Sequence, residues 1–273
     1  MNIARCTIDG KVYNAIEFSN LPIEGLLLYR RSLVCVECGG PSFFRKASHI
    51  GRGSHFGARP HACGCKQATQ DYVRYPQYTE DGEELQYGLA DKIVLDLNYG
   101  APQQAAYAFV ARNASVQDDS QHMRHEYRQH GENKSSRPST FLRNLINSPE
   151  FRNSNKIVEY GGHYLGTIRD LFVPLLSARS QHVGYFRGFW GMLSDVQTNK
   201  RKTTIWFNSG GHDNIGFCLS ETYSKDLFER YQVESYEDLA GAYILVFGVA
   251  RHSYDGKLYC DIVNLNNMAL RLT

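Results

Sequence analysis

Alternating apolar and polar residues at the start of the chain predict a β-hairpin. Two short β-prone runs, 3–7 and 11–18, flank Asp9–Gly10, a pair that readily adopts positive φ and closes a tight turn. Further on, Phe43–Phe44 has the composition of a strand that returns behind the cysteines at 35 and 38. The first part of the chain is therefore expected to be a hairpin followed by a small β module.

Residues 184–273 show a different pattern, which predicts five strands and one helix. Three short β-prone runs come first, a helix follows, and two more runs are joined by a turn at Asp255–Gly256. The elements are the strands 184–193, 203–208 and 215–219, the helix from Ser224, and the strands 242–250 and 258–265. This is the order of an OB-fold, a five-stranded Greek-key barrel, and the resemblance covers about residues 184–271.

The middle of the chain is less regular. Residues 117–139 lack apolar periodicity and are rich in His, Ser, Gln and charge, which predicts a flexible loop. After this loop, Ser139 or Thr140 is positioned to cap a helix that ends at Pro149. The predicted fold is α+β in three parts: a β-hairpin and zinc-ribbon-like module at 1–75, a mixed helical middle segment at 76–183, and an OB-fold-like domain at 184–273.

The composition is that of an ordinary globular protein. Of the 273 residues, 42% are hydrophobic and 21% are charged, which suffices for a buried core. No apolar run approaches the roughly 20 residues that cross a bilayer. The first residues lack the apolar stretch of a secretory signal. We therefore expect a cytoplasmic protein with no membrane partner.

Charge is unevenly placed along the chain, although the formal net charge is only +2. Residues 1–75 hold ten Lys and Arg against five Asp and Glu, whereas 76–183 hold eleven against thirteen and 184–273 hold nine against ten. A surface for an anionic partner is therefore expected to be local. The basic excess falls in the segment that contains the clustered cysteines.

Four of the seven cysteines form two closely spaced pairs, and these predict a structural Zn²⁺ site. The first pair is a C-x2-C knuckle followed by Gly39–Gly40, and the second is C-G-C. In a reducing compartment such pairs indicate a metal rather than a disulfide, and structural zinc takes four tetrahedral S or N ligands. The predicted ligands are Cys35, Cys38, Cys63 and Cys65, with His55 and His61 left open as alternatives for the fourth position.

The N-terminal pattern resembles the zinc-binding part of competence CoiA-like proteins. The residues that carry this resemblance are Cys35, Cys38, Gly39, Gly40, His55, Phe56 and Cys63. It covers about residues 1–70, and 140–151 is faintly similar to the same proteins. That family joins a zinc module to a restriction-type nuclease domain and handles incoming DNA, so the resemblance implies a nucleic-acid setting. This chain lacks the Asp and Glu-x-Lys spacing with which such nucleases hold their metal.

A second catalytic alternative is a ββα-metal nuclease built on Ser48–Ile50 and His55. Such a site needs an Asn and a second His on the following helix, and residues 66–73 contain no His. The sequence also lacks a nucleotide-binding loop and an esterase motif. We therefore predict no hydrolytic activity and name no catalytic residue.

Binding of unpaired nucleic acid requires cations that neutralise phosphates and aromatic rings on which bases stack. Strand alternation predicts that Ile205 and Phe207 face inward and that Trp206 faces outward. The predicted nucleic-acid-binding residues are Arg187, Lys202, Trp206, Arg251 and Tyr259.

The leading hypothesis is a zinc-containing, non-enzymatic protein that binds single-stranded DNA or RNA, in the handling of foreign or mobile DNA. The alternatives are a metal-dependent nuclease and a protein-interaction subunit of a larger complex. Binding without cleavage, cleavage that needs magnesium, and binding to neither kind of oligonucleotide distinguish the three.

Overall fold

The computed structural model describes residues 1–47, 53–68, 91–98, 135–211 and 214–272. Its contacts divide the chain into two compact units, Met1–Tyr72 together with Val173–Thr273, and Val73–Phe172. The first and last predicted parts of the chain thus pack in the same unit. Within the described ranges, no helix has the length and apolar character needed to cross a membrane.

The N-terminal segment folds around a small aromatic core. Its elements are β1 (Ile3–Cys6), β2 (Val12–Asn14), α1 (Ala15–Ser19), α2 (Ile23–Tyr29), β3 (Leu33–Val34), β4 (Ser42–Arg45) and β5 (His55–Ala58). β1 pairs antiparallel with β2 and β3, and β4 pairs antiparallel with β5. The rings of Phe18, Phe44 and Phe56 pack in the centre, with centroids 4.9–5.4 Å apart.

The predicted hairpin is present, but its second strand is shorter than the apolar pattern indicated. At Asn14 the side chain accepts hydrogen bonds from the backbone N–H groups of Ile16 and Glu17, and the Glu17 carboxylate accepts one from the Asn14 N–H. This reciprocal capping box starts a helix. The strand predicted for 11–18 therefore ends at Asn14 and continues as α1.

The second unit contains a four-stranded sheet. Its elements are β6 (Lys92–Leu95), β7 (Ser135–Ser136), α3 (Pro138–Asn147), α4 (Pro149–Arg152), β8 (Ile157–Tyr160), β9 (His163–Thr167) and α5 (Ile168–Leu171). The strand order is β7-β6-β8-β9, in which β6 runs parallel to both its neighbours and β8 and β9 are antiparallel. Phe141 on α3 stacks against Phe172, with ring centroids 5.2 Å apart.

The predicted loop at 117–139 is only partly open to comparison, because 117–134 lie outside the described residues. Of the rest, Ser135–Ser136 form β7, and α3 already starts at Pro138. Proline is favoured in the first helical turn because its missing N–H would have no partner there. The helix therefore begins before Ser139 and Thr140, its predicted caps.

The C-terminal segment forms the largest sheet among the described residues. Its elements are β10 (Phe172–Pro174), β11 (Phe186–Met192), β12 (Asp195–Thr198), β13 (Thr204–Asn208), β14 (Gly216–Ser220), α6 (Ser224–Tyr231), β15 (Tyr243–His252), β16 (Leu258–Asp261) and β17 (Met268–Arg271). The strand order is β10-β11-β15-β16-β14-β13-β12, and β17 also pairs with β15. β14 and β16 run parallel, whereas β15 is antiparallel to β11, β16 and β17.

This sheet differs from the prediction in its first strand and at its later and outer strands. The first predicted strand, 184–193, is followed by a separate strand, β12, which pairs with β13 while β11 pairs with β15. Two strands, β10 and β17, were not predicted, and the strand predicted for 258–265 ends at Asp261. The hydrogen-bonded path through the described strands is open at β10 and β12, so closure into a five-stranded barrel stays a prediction.

Alternation along the strands of this sheet separates a buried face from an outer one. Ile205 and Phe207 on β13 and Phe217 on β14 are fully buried, while Trp206 and Cys218 are partly exposed. The buried residues join side chains from β11, β15 and α6 in one apolar cluster. The positions that face outward are therefore free to carry polar chemistry.

Two neighbouring arginines tie the N-terminal segment to this sheet. The Arg30 guanidinium donates to both Glu237 carboxylate oxygens, at 2.9 and 2.8 Å, and is only 2% exposed. Arg31 Nε lies 3.1 Å from Oδ1 of Asp195, whose side chain is fully buried. Burial raises the pKa of the Asp195 carboxyl, although Arg31 and Arg30 oppose that shift. Buried charges of this kind require their partners.

The ring of Phe43 also lies where the N-terminal segment packs on the C-terminal sheet. The Phe43 ring lies against the backbone of its cross-strand partner Gly57 and of Gly241, and a Cβ added at either glycine would overlap it. The guanidinium groups of Arg45 and Arg59 stand 5.6 and 5.7 Å from the ring centroid. They also donate to the carbonyls of residues 240 and 241. The two arginines thus contact the ring by cation–π interactions and, through their hydrogen bonds, connect it to the backbone of residues 240 and 241.

We expect Gly57→Ala to destabilise the protein by about 1–3 kcal/mol, because the added methyl group overpacks the Phe43 ring. Gly25→Ala is the matched control, since a Cβ at this position on α2 meets nothing within 4 Å and alanine favours helix. Urea unfolding measures both variants. Equal stability of the two would contradict the packing described for Phe43.

We expect Glu237→Gln to lower the free energy of unfolding by about 1–2 kcal/mol, since it weakens the charge-assisted bonds to buried Arg30 while Glu237 itself is partly solvated. Glu234→Gln makes the same chemical change at an exposed neighbouring position and should have little effect. Thermal and urea unfolding of the two variants provide the comparison. A loss of the same size in both would show that the Arg30 pair contributes nothing specific.

Candidate metal centre and nucleic-acid interface

The first half of the cysteine cluster is a tight turn between β3 and β4. The N–H of Cys35 donates to the carbonyl of Gly40 at 2.8 Å, and the N–H of Gly39 donates back to the carbonyl of Cys35 at 3.0 Å. Gly39 has φ +68°, a conformation that glycine adopts without steric cost. The turn brings Cys38 back beside Cys35, as the C-x2-C spacing predicts.

The second half of the cluster follows β5 and approaches this turn closely. A Cβ at Gly40 would come within 2.6 Å of the Pro60 carbonyl oxygen, so only glycine allows the two backbones to meet. Beyond Pro60, the N–H of Cys65 donates to the carbonyl of Ala62 at 3.1 Å and closes a second turn. The chain thus presents His61 and Cys65 to the first pair.

Cys35, Cys38, His61 and Cys65 form a group whose ligand atoms all lie within 4.8 Å of one another. The Sγ atoms of Cys35 and Cys65 are 3.8 Å apart, and Cys38 Sγ lies 3.4 Å from Nδ1 of His61. A tetrahedral zinc ion with Zn–S bonds of about 2.3 Å separates two sulfurs by about 3.8 Å. The donor set and its spacing therefore fit a four-coordinate metal ion.

The environment of the thiols shows the same preference for a cation. The N–H groups of Ala62 and Gly40, with His61, lower the pKa of Cys38 to about 6. Burial raises the pKa of Cys65 to about 11, and the neighbouring thiols and Glu37 add to that shift. Several thiolates in one place repel each other, and a bound cation removes that repulsion. All four side chains would then be ligands of the same metal ion.

The structure differs from the predicted ligand set at one position. Cys63 is exposed and lies outside the four-residue group, whereas His61, one of the alternatives for the fourth ligand, lies inside it. Gly64, with φ +80°, turns the chain between the two cysteines, so that Cys65 reaches the group. His55 lies in β5, where its Nδ1 is 3.1 Å from the Gly53 carbonyl oxygen. Residues 48–50 of the nuclease alternative lie outside the described residues.

The structure brings three of the five predicted nucleic-acid-binding residues together. Trp206 on β13 and Tyr259 on β16 meet edge to face, with ring centroids 6.3 Å apart. Arg251 on β15 is the cross-strand partner of Tyr259. Between the two rings runs β14, whose Cys218 is paired with Trp206. We call this outer surface, defined by Trp206, Cys218, Tyr259, Arg251 and Asp261, the aromatic face.

The other two predicted residues lie elsewhere on the sheet. Lys202 is exposed in the turn between β12 and β13, where it has φ +52°. Arg187 is paired with Gly248 on β15, an odd number of residues from Arg251. Because side chains alternate along a strand, the register assigns Arg187 to the opposite face of β15 from Arg251. Its guanidinium lies 5.4 Å from the Tyr185 ring centroid.

Two polar residues of this surface were missed by the sequence analysis. The Asp261 carboxylate accepts a hydrogen bond from Cys218 Sγ at 2.9 Å and lies 3.5 Å from Arg251 Nη1. Lys257 lies over Gly216, where an added Cβ would be 3.9 Å from both Cε and Nζ. Burial lowers the pKa of Lys257, and neighbouring Arg31 lowers it further. The signal in the sequence was the alternation Lys257, Tyr259, Asp261, which puts all three on one face.

The comparisons with known proteins leave the family open. No family model and no curated protein matches the chain, so the resemblance to competence CoiA-like proteins stays a prediction. Among solved structures, the S. pombe Stn1-ten1 complex matches over 34% of this chain and 68% of that chain, with 9% sequence identity and a TM-score of 0.24. A TM-score of this size does not establish a common fold.

We expect His61→Ala to lose bound metal and Cys63→Ser to keep it, because His61 belongs to the four-residue group and Cys63 does not. Elemental analysis of the purified proteins measures zinc per chain, and thermal unfolding follows the stability that the metal contributes. Wild-type protein should carry one zinc. Zinc retained in His61→Ala but lost in Cys63→Ser would restore the ligand set expected from the cysteine spacing.

Proposed function

We propose that residues 184–271 form an OB-fold in which β11 and β12 are two halves of the first strand. Support comes from the strand pairing: β11 pairs with the strand after the helix, β12 with β13, and β14 runs parallel to β16. Only Leu193–Ser194 separate the two halves in the chain. The OB-fold binds oligonucleotides on the outer face of its central strands.

We propose that this protein binds single-stranded nucleic acid through the aromatic face, without cleaving it. The observation that carries the proposal is the pair of partly exposed rings, Trp206 and Tyr259, on neighbouring outward positions beside Arg251. Bases in a single strand stack on such rings with little dependence on sequence. Arg251 and Lys257 are the cations on this surface, and Lys202 is exposed in the turn that precedes β13; such cations neutralise phosphates.

The metal centre has a structural part in this proposal. Three thiolates and one imidazole around Zn²⁺ would leave no open position for water, which is the arrangement of a structural site. The ion would fix the turns of residues 35–40 and 60–65 against each other. Through Arg59 and Phe43 the same segment packs on the C-terminal sheet, so the ion would also stabilise the unit that carries the aromatic face.

We expect Trp206→Ala to weaken binding to a single-stranded oligonucleotide about five- to a hundredfold, because it removes a stacking platform worth about 1–3 kcal/mol per base. The slope of log affinity against log salt should stay unchanged. Lys202→Ala should reduce that slope by about 0.7, the share of one phosphate contact on single strands. Fluorescence anisotropy titrations over a series of salt concentrations measure both quantities.

The control for Trp206→Ala is Tyr164→Ala, which removes an exposed ring from the second unit and should bind like wild type. Wild-type affinity in Trp206→Ala would exclude the aromatic face as the binding surface. The titrations are run with and without magnesium. Cleavage that appears only with magnesium would support the nuclease alternative, and binding to no oligonucleotide would support the protein-interaction subunit.

A further inference from the structure

The aromatic face carries an acidic residue that phosphate binding does not explain. Asp261 is half exposed, with a relative side-chain exposure of 50%, and is the cross-strand partner of Cys218. A carboxylate repels phosphate groups, so its position beside Cys218 and Arg251 would lower affinity for the backbone of any nucleic acid. A base edge that donates hydrogen bonds is the part of a nucleic acid that an aspartate attracts.

The Asp261 carboxylate is held in one orientation by two neighbours. Cys218 Sγ donates to Oδ1 at 2.9 Å, and Arg251 Nη1 lies 3.5 Å from Oδ2. Burial, and then the bond to Asp261, raises the pKa of Cys218 well above its ordinary value, so the thiol keeps its proton and stays a donor. Each oxygen retains a further lone pair for a ligand.

Asp261 and Arg251 lie at an open part of the aromatic face, where their side chains are 50% and 54% exposed. Cys218 on β14 is the cross-strand partner of both Trp206 and Asp261, and the next outward residue of this strand, Ser220, is small and exposed. A base stacked against Trp206 over this strand therefore turns one edge toward Asp261. Lys257 lies over Gly216, at the start of β14, where its ammonium group could contact a phosphate of the same strand of nucleic acid.

Of the four bases, only one offers a carboxylate two neighbouring hydrogen-bond donors. Guanine presents N1–H and N2–H side by side, and next to them O6, which accepts from an arginine. Adenine and cytosine each place a ring acceptor beside their amino group, and thymine or uracil places a carbonyl on either side of its single N–H. A fixed Asp and Arg pair therefore complements guanine. On every other base the carboxylate would face at least one hydrogen-bond acceptor, which it repels.

We infer that Asp261 and Arg251 select guanine at one position of the bound strand, with Asp261 accepting from N1–H and N2–H and Arg251 donating to O6. This inference rests on the proposed binding of single strands to the aromatic face. The alternative is that Asp261 serves only as a surface partner of Arg251. The two cases differ in outcome, because a base reader discriminates between oligonucleotides and a surface ion pair does not.

The test compares oligothymidylates of about twelve nucleotides, within the usual site size of the fold, that carry a single central guanosine, inosine, adenosine or cytidine. We expect the guanosine oligonucleotide to bind wild type about five- to a hundredfold more tightly than plain oligothymidylate, the usual range for one bidentate base contact. Inosine lacks the N2 amino group and should lose a large part of that gain.

Asp261→Asn should remove the preference for guanosine over inosine and keep affinity for plain oligothymidylate equal or higher. Asp226→Asn is the matched control, because it makes the same charge change at an exposed position on α6 and should keep the preference. A uniform gain for every oligonucleotide in Asp261→Asn, or equal binding of guanosine and thymidine oligonucleotides by wild type, would overturn the inference. Trp206-dependent binding without a guanosine preference would leave the proposed function standing, whereas absence of any binding would remove both.

Discussion

The packing of the first unit depends on two ion pairs made by consecutive arginines, each of which contains one buried charge, Arg30 in the first pair and Asp195 in the second. Arg30 and Arg31 lie between α2 and β3 and reach different parts of the C-terminal segment, Glu237 before β15 and Asp195 at the start of β12. Charged groups removed from water are tolerated only with their partners in place. The pairs therefore specify one way for the N-terminal segment to pack on the sheet, besides the apolar contacts around them.

Because this packing is specified, the cysteine cluster and the sheet are linked over a short distance. Gly40 meets the Pro60 carbonyl inside the cysteine cluster, and Arg59, which precedes Pro60, donates to the carbonyl of Gly241, two residues before β15. The Phe43 ring fills the space between them. The cysteine cluster is thus joined by direct contacts to the backbone that leads into β15, the strand that carries Arg251.

In the same sheet, the alternation of side chains along each strand separates the residues that form the core from those that face outward. Inward residues of β13, β14 and β16 form the apolar core, so the outward residues of these strands are released from packing and can carry rings and charges. Trp206, Tyr259 and Arg251 supply stacking and positive charge, and Asp261 adds an acceptor. If the proposed function holds, a surface built this way would combine general affinity for single strands with selection at one base.

The sequence by itself determined the elements with strong local signals: the turn at Asp9–Gly10, the C-x2-C knuckle, and the outward direction of Trp206, because capping, turn and alternation rules act over a few residues. Tertiary structure decided what depends on distant backbone. Spacing along the chain does not distinguish His61 from Cys63 as a ligand, since the approach of Pro60 to Gly40 sets which one reaches the group. Likewise, only the pairing of β11 with β15 separates Arg187 from Arg251, because register across strands is set by contacts that no local pattern encodes.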